Sequence, residues 1–295
     1  MSYIYRYLKK DLMYYLELIK PRILFSNLLS AISGYFFGLK NNSINFLILF
    51  YMIFGLFCII SCGCVLNNIF DRKNDKKMKR TMNRVLVKKK CFLKKSIIFS
   101  FFLFFIGSFF LYFFVNKLVY LISCIGLFVY VIFYTIFLKK KCQYSTIVGA
   151  ISGSCPILIG YFSVSHYSIF LGICLFFIFF FWQIPHSYSV SLLYLKDYKK
   201  AHIKVFPVVN NFQTTLTHMY FCINLLIFFT FIFGFFSYLN DLNLTVLLLF
   251  GFFWLFLVSQ GFKTYLNPLN WILKIFKFSI FYIICFNIFI CFNYI

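Results

Sequence analysis

The sequence predicts an all-α membrane protein in which nine helices cross a bilayer, and three observations carry that expectation. Of 295 residues, 63% are hydrophobic and 12% are charged, more apolar surface than a soluble domain of this length can hide. Nine apolar stretches approach the length of about 20 residues that a helix needs to cross hydrocarbon. They are 23–39, 44–66, 96–115, 118–138, 147–164, 168–184, 216–239, 244–262 and 271–291. Lys and Arg alternate with these stretches, 27 of 29 falling on one side of the membrane when the chain is threaded back and forth. The runs are too long for barrel strands and lack period-two alternation.

Each element follows from that pattern. Spans one and two are joined by the short outer segment 40–43. Spans two and three are joined by the long segment 67–95, which holds 12 basic residues. Spans three and four meet at 116–117, and spans four and five at a turn containing Lys139, Lys140 and Lys141. Spans five and six meet at 165–167, and six and seven across the second long segment, 185–215. Spans seven and eight meet at 240–243. The ninth span has Lys274 and Lys277 near its start, where long side chains snorkel to the interface. The positive-inside rule puts the N-terminus and both long segments in the cytosol and the C-terminus outside. No linker rich in Pro, Gly or Ser interrupts the chain, so a single polytopic domain, 1–295, is expected. No cleavable signal is evident, because the first apolar run follows a basic segment and lacks a small-x-small site.

This topology accounts for the net charge of +23 without nucleic acid. Some attraction to anionic lipid headgroups is expected. The 11 cysteines contain no CxxC pair, and most lie inside spans, so they read as small hydrophobic residues. With 48 Phe, aromatic enrichment says little about ligand stacking.

Chemistry is expected in the two long segments. The chain has six acidic residues, Asp11, Glu17, Asp71, Asp75, Asp197 and Asp241. Asn67, Asp71 and Asp75 are spaced i, i+4, i+8, so a second helix extended past the membrane puts them on one face. Such a row suits Mg²⁺, a hard cation usually held by one or two carboxylates plus substrate phosphates. Lys76, Lys77, Lys79, Arg80 and Arg84 follow at once. Carboxylate-bound metal beside Lys and Arg donors is what a diphosphate leaving group requires. The second long segment offers one carboxylate, Asp197, to complete the site from across the bundle. Pro185 is expected to kink or end helix six and to set His186 at the membrane boundary. His186 reads as an iron ligand, a proton-transfer group or a plain interface residue. His166 and His218 default to structural roles, and His202 stays open.

The run Asn67-x₃-Asp71-x₃-Asp75, followed by Lys77-Met78-x-Arg80-Thr81-x-Asn83-Arg84, resembles the first aspartate-rich motif of the UbiA-type intramembrane prenyltransferases. Trp182-Gln183-x-Pro185-His186, Asp197-Tyr198-x₂-Ala201 and Pro207-Val208-Val209 resemble the branch of that family that modifies haem. Lys20-Pro21, Asn27, Tyr130, Tyr134-Thr135, Pro156 and Gly160 match in order, so the likeness spans roughly residues 14–285. The resemblance implies a UbiA-type bundle around a central cavity open to the cytosol. It implies a multi-pass protein of the bacterial inner membrane that transfers farnesyl from farnesyl diphosphate to a vinyl group of haem B. Water is added, and haem O and diphosphate result. By the same resemblance Asp71, Asp75 and Asp197 are the catalytic carboxylates, which with Asn67 hold Mg²⁺. Lys79, Arg80 and Arg84 grip the diphosphate, and His186 faces haem. A haem-handling or oxidase partner is implied as well.

Ser145, Ile157 and Lys204 depart from the family's usual Gly, Pro and Pro. Two other readings stand beside this one. A prenyltransferase for an aromatic or quinone precursor usually carries a second Asp four residues after the first in the second segment, where this chain has Ala201. A non-catalytic assembly protein of the same fold does not require the retained Asp71 and Asp75.

Overall fold

The computed structural model describes residues 11–39, 43–164, 168–237, 239–262 and 268–292. The expected structural role of His166, the outer segment 165–167 and most of 40–43 lie outside the described residues.

Among the described residues no strand forms, and nine helices are long and apolar enough to cross a membrane. Helix α1 covers 11–18. The membrane helices are α2 (Pro21–Leu39), α3 (Phe46–Asp75), α5 (Leu93–Val115), α6 (Lys117–Leu138), α7 (Ser145–Phe162), α8 (Ile169–Leu193), α11 (Phe212–Ser237), α12 (Asp241–Gln260) and α13 (Pro268–Phe292). Short helices α4 (Val85–Lys88), α9 (Leu195–Lys200) and α10 (Phe206–Val209) lie in the two long basic segments.

Helix α2 packs on α3, α7 and α13, and α3 also lies against α5. Helix α8 contacts α7, α11 and α13, while α12 packs between α11 and α13. Lipid offers helices no hydrophobic drive to associate, so close backbone approach has to hold them. The α2–α7 pair shows this most sharply. A Cβ on Gly160 would collide with the Ala31 carbonyl, and one on Gly34 would collide with the Ile157 carbonyl. Many Phe side chains turn outward instead, among them Phe25, Phe46 and Phe235. Cys58 and Cys62 fill the core beside Leu18 and Leu103, and Cys155, Cys174 and Cys222 do so in the larger cluster.

Two expectations about helix limits fare differently. Helix α3 does run on past its apolar stretch to Asp75, capped at its start by Asn45, whose side chain accepts from Leu47 and Ile48 N–H at 3.1 Å. Pro185, by contrast, does not end its helix. Helix α8 continues to Leu193, so the first two turns of the expected loop are helical and His186 sits within them. A proline removes one N–H, the partner of the carbonyl four residues back, and membrane helices tolerate that loss. Ser189 Oγ lies 3.0 Å from the Pro185 carbonyl and 2.7 Å from that of His186, and donates there.

Helix α9 ends on a turn that most chains build with glycine. Ile203 N–H donates to the Tyr198 carbonyl and His202 N–H to the Lys199 carbonyl, both at 3.1 Å, which is a Schellman closure. His202 takes the left-handed position with φ of 55° and an exposed side chain. Its left-open role is therefore conformational. His202→Gly is expected to raise stability by about 0.5–1 kcal/mol, the strain of a side chain at positive φ less the entropy glycine adds to the unfolded chain. A higher midpoint in a detergent thermal scan checks this.

Candidate active site

The site is built where the basic ends of α2, α3 and α6 meet. On α3, Asn67, Asp71 and Asp75 are 3%, 3% and 4% exposed, so the row read from spacing is an inward face. Its members bond to one another: Asn67 Nδ2 donates to Asp71 Oδ2 at 2.9 Å, and Asn74 Nδ2 to Asp71 Oδ1 at 3.3 Å. Buried carboxylates need charged partners; two cations supply them, and a third bonds the neighbouring amide. Lys139 forms an ion pair with Asp71 Oδ2. Arg84 Nη1 reaches Asp75 Oδ2 at 2.7 Å, and Lys20 Nζ donates to Asn67 Oδ1 at 2.5 Å. Asp75 Oδ1 makes no hydrogen bond among the described residues.

The two lysines are aimed by local backbone geometry. Lys20 joins α1 to α2 with φ of 52°, a left-handed conformation rare outside glycine, and Pro21 then starts α2. Such an outlier at a functional centre is strain held by its surroundings. The last part of α6, from Val129 to Leu138, is π-helical. Lys139 N–H accordingly bonds five residues back to Tyr134. Thr135 Oγ1 donates to the Tyr130 carbonyl and accepts from Asn67 Nδ2 at 3.1 Å. The wider turn, a form often found at functional sites, points Thr135 and Lys139 at α3.

The electrostatics match this geometry. Burial lowers the Lys20 pKa to about 8, with Arg84 and Lys139 also repelling its proton and Asp71 opposing the shift. Burial pushes the Lys139 ammonium down too, but the Asp71 carboxylate outweighs that and holds its pKa above the usual lysine value.

The segment after Asp75 is tied down at several points. Thr81 Oγ1 donates to the Asp75 carbonyl at 3.1 Å, and Met78 packs against Ala201, Ile203 and Val205 of the second long segment. Asp197 Oδ2 accepts the Arg80 N–H at 3.2 Å, and the Arg80 guanidinium lies 4.6 Å from the Tyr194 ring centre. The two basic segments thus form one lid-like layer beside the α3 row. Lys79 and Arg80 are exposed. Among the described residues no three His, Cys, Asp or Glu side chains gather as a metal cage. Two buried carboxylates with one uncommitted oxygen suit Mg²⁺ completed by substrate phosphates rather than by a protein cage.

His186 lies elsewhere, on α8 against α13. Its ring is stacked between Trp182, at 4.9 Å, and Phe276, at 5.2 Å. Its Nδ1 lies 2.8 Å from Ser279 Oγ, and Trp182 Nε1 donates to the Ser279 carbonyl at 2.7 Å. Gln183 fills the space a Cβ on Gly153 would take. His218 stacks with Phe206 and Tyr188 in a structural cluster.

Sequence reasoning missed Lys20 and Lys139 as site residues. Lys20 carried one signal, its place before Pro21 at a helix start. Lys139 carried none, since it sits in a basic triplet that topology explains equally well. Among the departures, Ser145 is buried at the start of α7, Ile157 is buried against Gly34, and Lys204 is exposed.

Comparison with known proteins agrees with this architecture. The model of the UbiA prenyltransferase family matches residues 27–281. A protoheme IX farnesyltransferase of Blochmanniella floridana is 42% identical, over 93% of this chain and 95% of its own. One from Baumannia cicadellinicola is 39% identical, over 90% and 92%. Among solved structures, one described as digeranylgeranylglyceryl phosphate synthase superposes with a TM-score of 0.80 at 18% identity, covering 96% of this chain and 98% of that one. A UbiA homologue from Archaeoglobus fulgidus bound to GPP and Mg²⁺ gives 0.69 at 14% identity, covering 94% and 99%. A family match over most of the chain, together with full-length relatives above 30% identity, makes this chain a multi-pass member of the UbiA prenyltransferase family, on the branch of its protoheme IX farnesyltransferases.

Proposed function

We propose that the protein farnesylates haem B at a vinyl group, with addition of water, to give haem O and diphosphate. The observation that carries the diphosphate half is the buried Asn67–Asp71–Asp75 face met by Lys20, Lys139 and Arg84. The haem half is supported by the names of the near-full-length relatives.

Asp71, Asp75 and Asn67 would hold Mg²⁺, and the metal would neutralise charge on the diphosphate. Lys20, Lys139 and Arg84 stand beside the same side chains and would take up the charge that grows as the C–O bond of the prenyl diphosphate breaks. Fixed charges in a site that excludes water are worth more than the same charges in solution. The apolar bundle shields the resulting allylic cation until the vinyl carbon attacks. Asp197, which accepts the Arg80 N–H, anchors the segment 76–84 and would complete the metal site from the second long segment. Lys79 and Arg80 sit at the rim, where they steer an anionic substrate inward. The reaction is placed at the cytosolic face of a bacterial inner membrane, where the basic segments lie by the positive-inside rule. A haem-handling or oxidase partner would receive the product there.

The test is haem O formation in detergent from haem B and farnesyl diphosphate, followed by mass spectrometry, with and without chelator. Product in the presence of Mg²⁺ and none with chelator is expected, and undiminished product with chelator rules out the metal role. Lys139→Met is expected to cut kcat about 10²-fold, by removing a charge that meets the leaving group. A change confined to KM would assign Lys139 to uniform binding instead.

A further inference from the structure

His186 has three close partners. Trp182 and Phe276 both stack on its ring, at 4.9 and 5.2 Å with interplanar angles of 19° and 30°. Its Nδ1 edge meets Ser279 Oγ at 2.8 Å. Ser279 is fully buried on α13 and its hydroxyl lies 2.6 Å from the Phe276 carbonyl, a group with no proton of its own to give. The Ser279 hydrogen is therefore committed to Phe276, and its oxygen lone pair is what faces the imidazole. Only an Nδ1–H can complete that contact. Nε2 makes no hydrogen bond among the described residues and is not among their sealed, unpartnered polar atoms. With the proton on Nδ1, Nε2 carries the ring's lone pair and is free to take a ligand.

We infer that Ser279 is a positioning residue that fixes His186 as its Nδ1–H tautomer and presents Nε2 as the axial nitrogen for the iron of the haem substrate. The inference rests on the haem reading above and assigns the nitrogen, the tautomer and the residue that sets it. A metal-binding histidine depends on such a partner: the bond at one nitrogen sets both the orientation and the basicity of the other. Trp182 reinforces the arrangement, because its indole N–H holds the Ser279 backbone at 2.7 Å and ties α8 to α13 at this level.

The experiment is a titration of ferric haem B into the detergent-solubilised full chain, read by the Soret band, with wild type, His186→Ala and Ser279→Ala compared. Wild type is expected to shift the band, His186→Ala to lose that shift, and Ser279→Ala to bind about 10–100-fold more weakly. Equal affinity and band position in Ser279→Ala overturn the role of Ser279, and an unchanged band in His186→Ala overturns the ligation. In either case haem O formation by wild type leaves the proposed function standing. Wild type that neither binds haem nor forms haem O sinks both. A second measurement needs no variant at the serine. In the haem-free chain with ¹⁵N-labelled histidine, the His186 signals should show a protonated Nδ1 and an unprotonated Nε2, and the reverse pattern overturns the inference.

Discussion

Asp71→Ala is expected to lower haem O formation on the order of 10³-fold, the larger end of what removing one preorganised charged group costs an enzyme. Asp71 is the hub of the row: Asn67 and Asn74 donate to its two oxygens, and Lys139 pairs with it. Its loss removes a ligand for Mg²⁺ and strands a lysine whose side chain is only 15% exposed. Breaking a buried pair from one side destabilises by about 3–5 kcal/mol, so a fall in activity alone is ambiguous. Asp71→Asn resolves it, because the amide keeps the shape and loses the charge. A folded Asp71→Asn protein with unimpaired turnover would remove the carboxylate from the mechanism.

The second large effect lies far from the chemistry. Gly160→Val is expected to destabilise the bundle by about 3 kcal/mol, the upper end for overpacking a fitted core. The new Cβ would run into the Ala31 carbonyl, and Tyr35 N, 2.9 Å away, leaves no room for α2 to slide. Backbone atoms cannot rotate aside as a side-chain tip can, so α2 must move as a body. Helix α2 starts directly after Lys20, and the 2.5 Å contact of Lys20 with Asn67 moves with it. The same substitution should therefore lower the thermal midpoint in detergent and raise KM for farnesyl diphosphate. An unchanged midpoint would mean that α2 and α7 are not held by this close approach.

The two cases show which parts of the site are legible in sequence. The row Asn67, Asp71, Asp75 is visible because helical periodicity turns spacing into a face, and because carboxylates are scarce in so basic a chain. The spans are visible because lipid demands long apolar runs. Lys139 is invisible for the opposite reason: basic residues are abundant on this side of the membrane, and what singles it out is a π-helical turn that no residue pattern announces. Arg80 follows its motif in sequence, yet its guanidinium rests on Tyr194 while its backbone meets Asp197, an arrangement set by contacts between distant segments. Pro185 is a poor guide to the helix end because membrane helices tolerate an internal proline, and α8 runs on to Leu193. The Ser279 contact with His186 joins residues 93 apart, beyond the reach of any local pattern.

The central claim is that the acceptor is haem and the donor a farnesyl diphosphate. It is tested most directly by offering the purified protein both haem B and a hydroxybenzoate, together with farnesyl diphosphate and Mg²⁺, and weighing the products. Haem O, heavier than haem B by a farnesyl group and a hydroxyl group, is expected together with unmodified hydroxybenzoate. Recovery of unchanged haem B beside a prenylated hydroxybenzoate would contradict it.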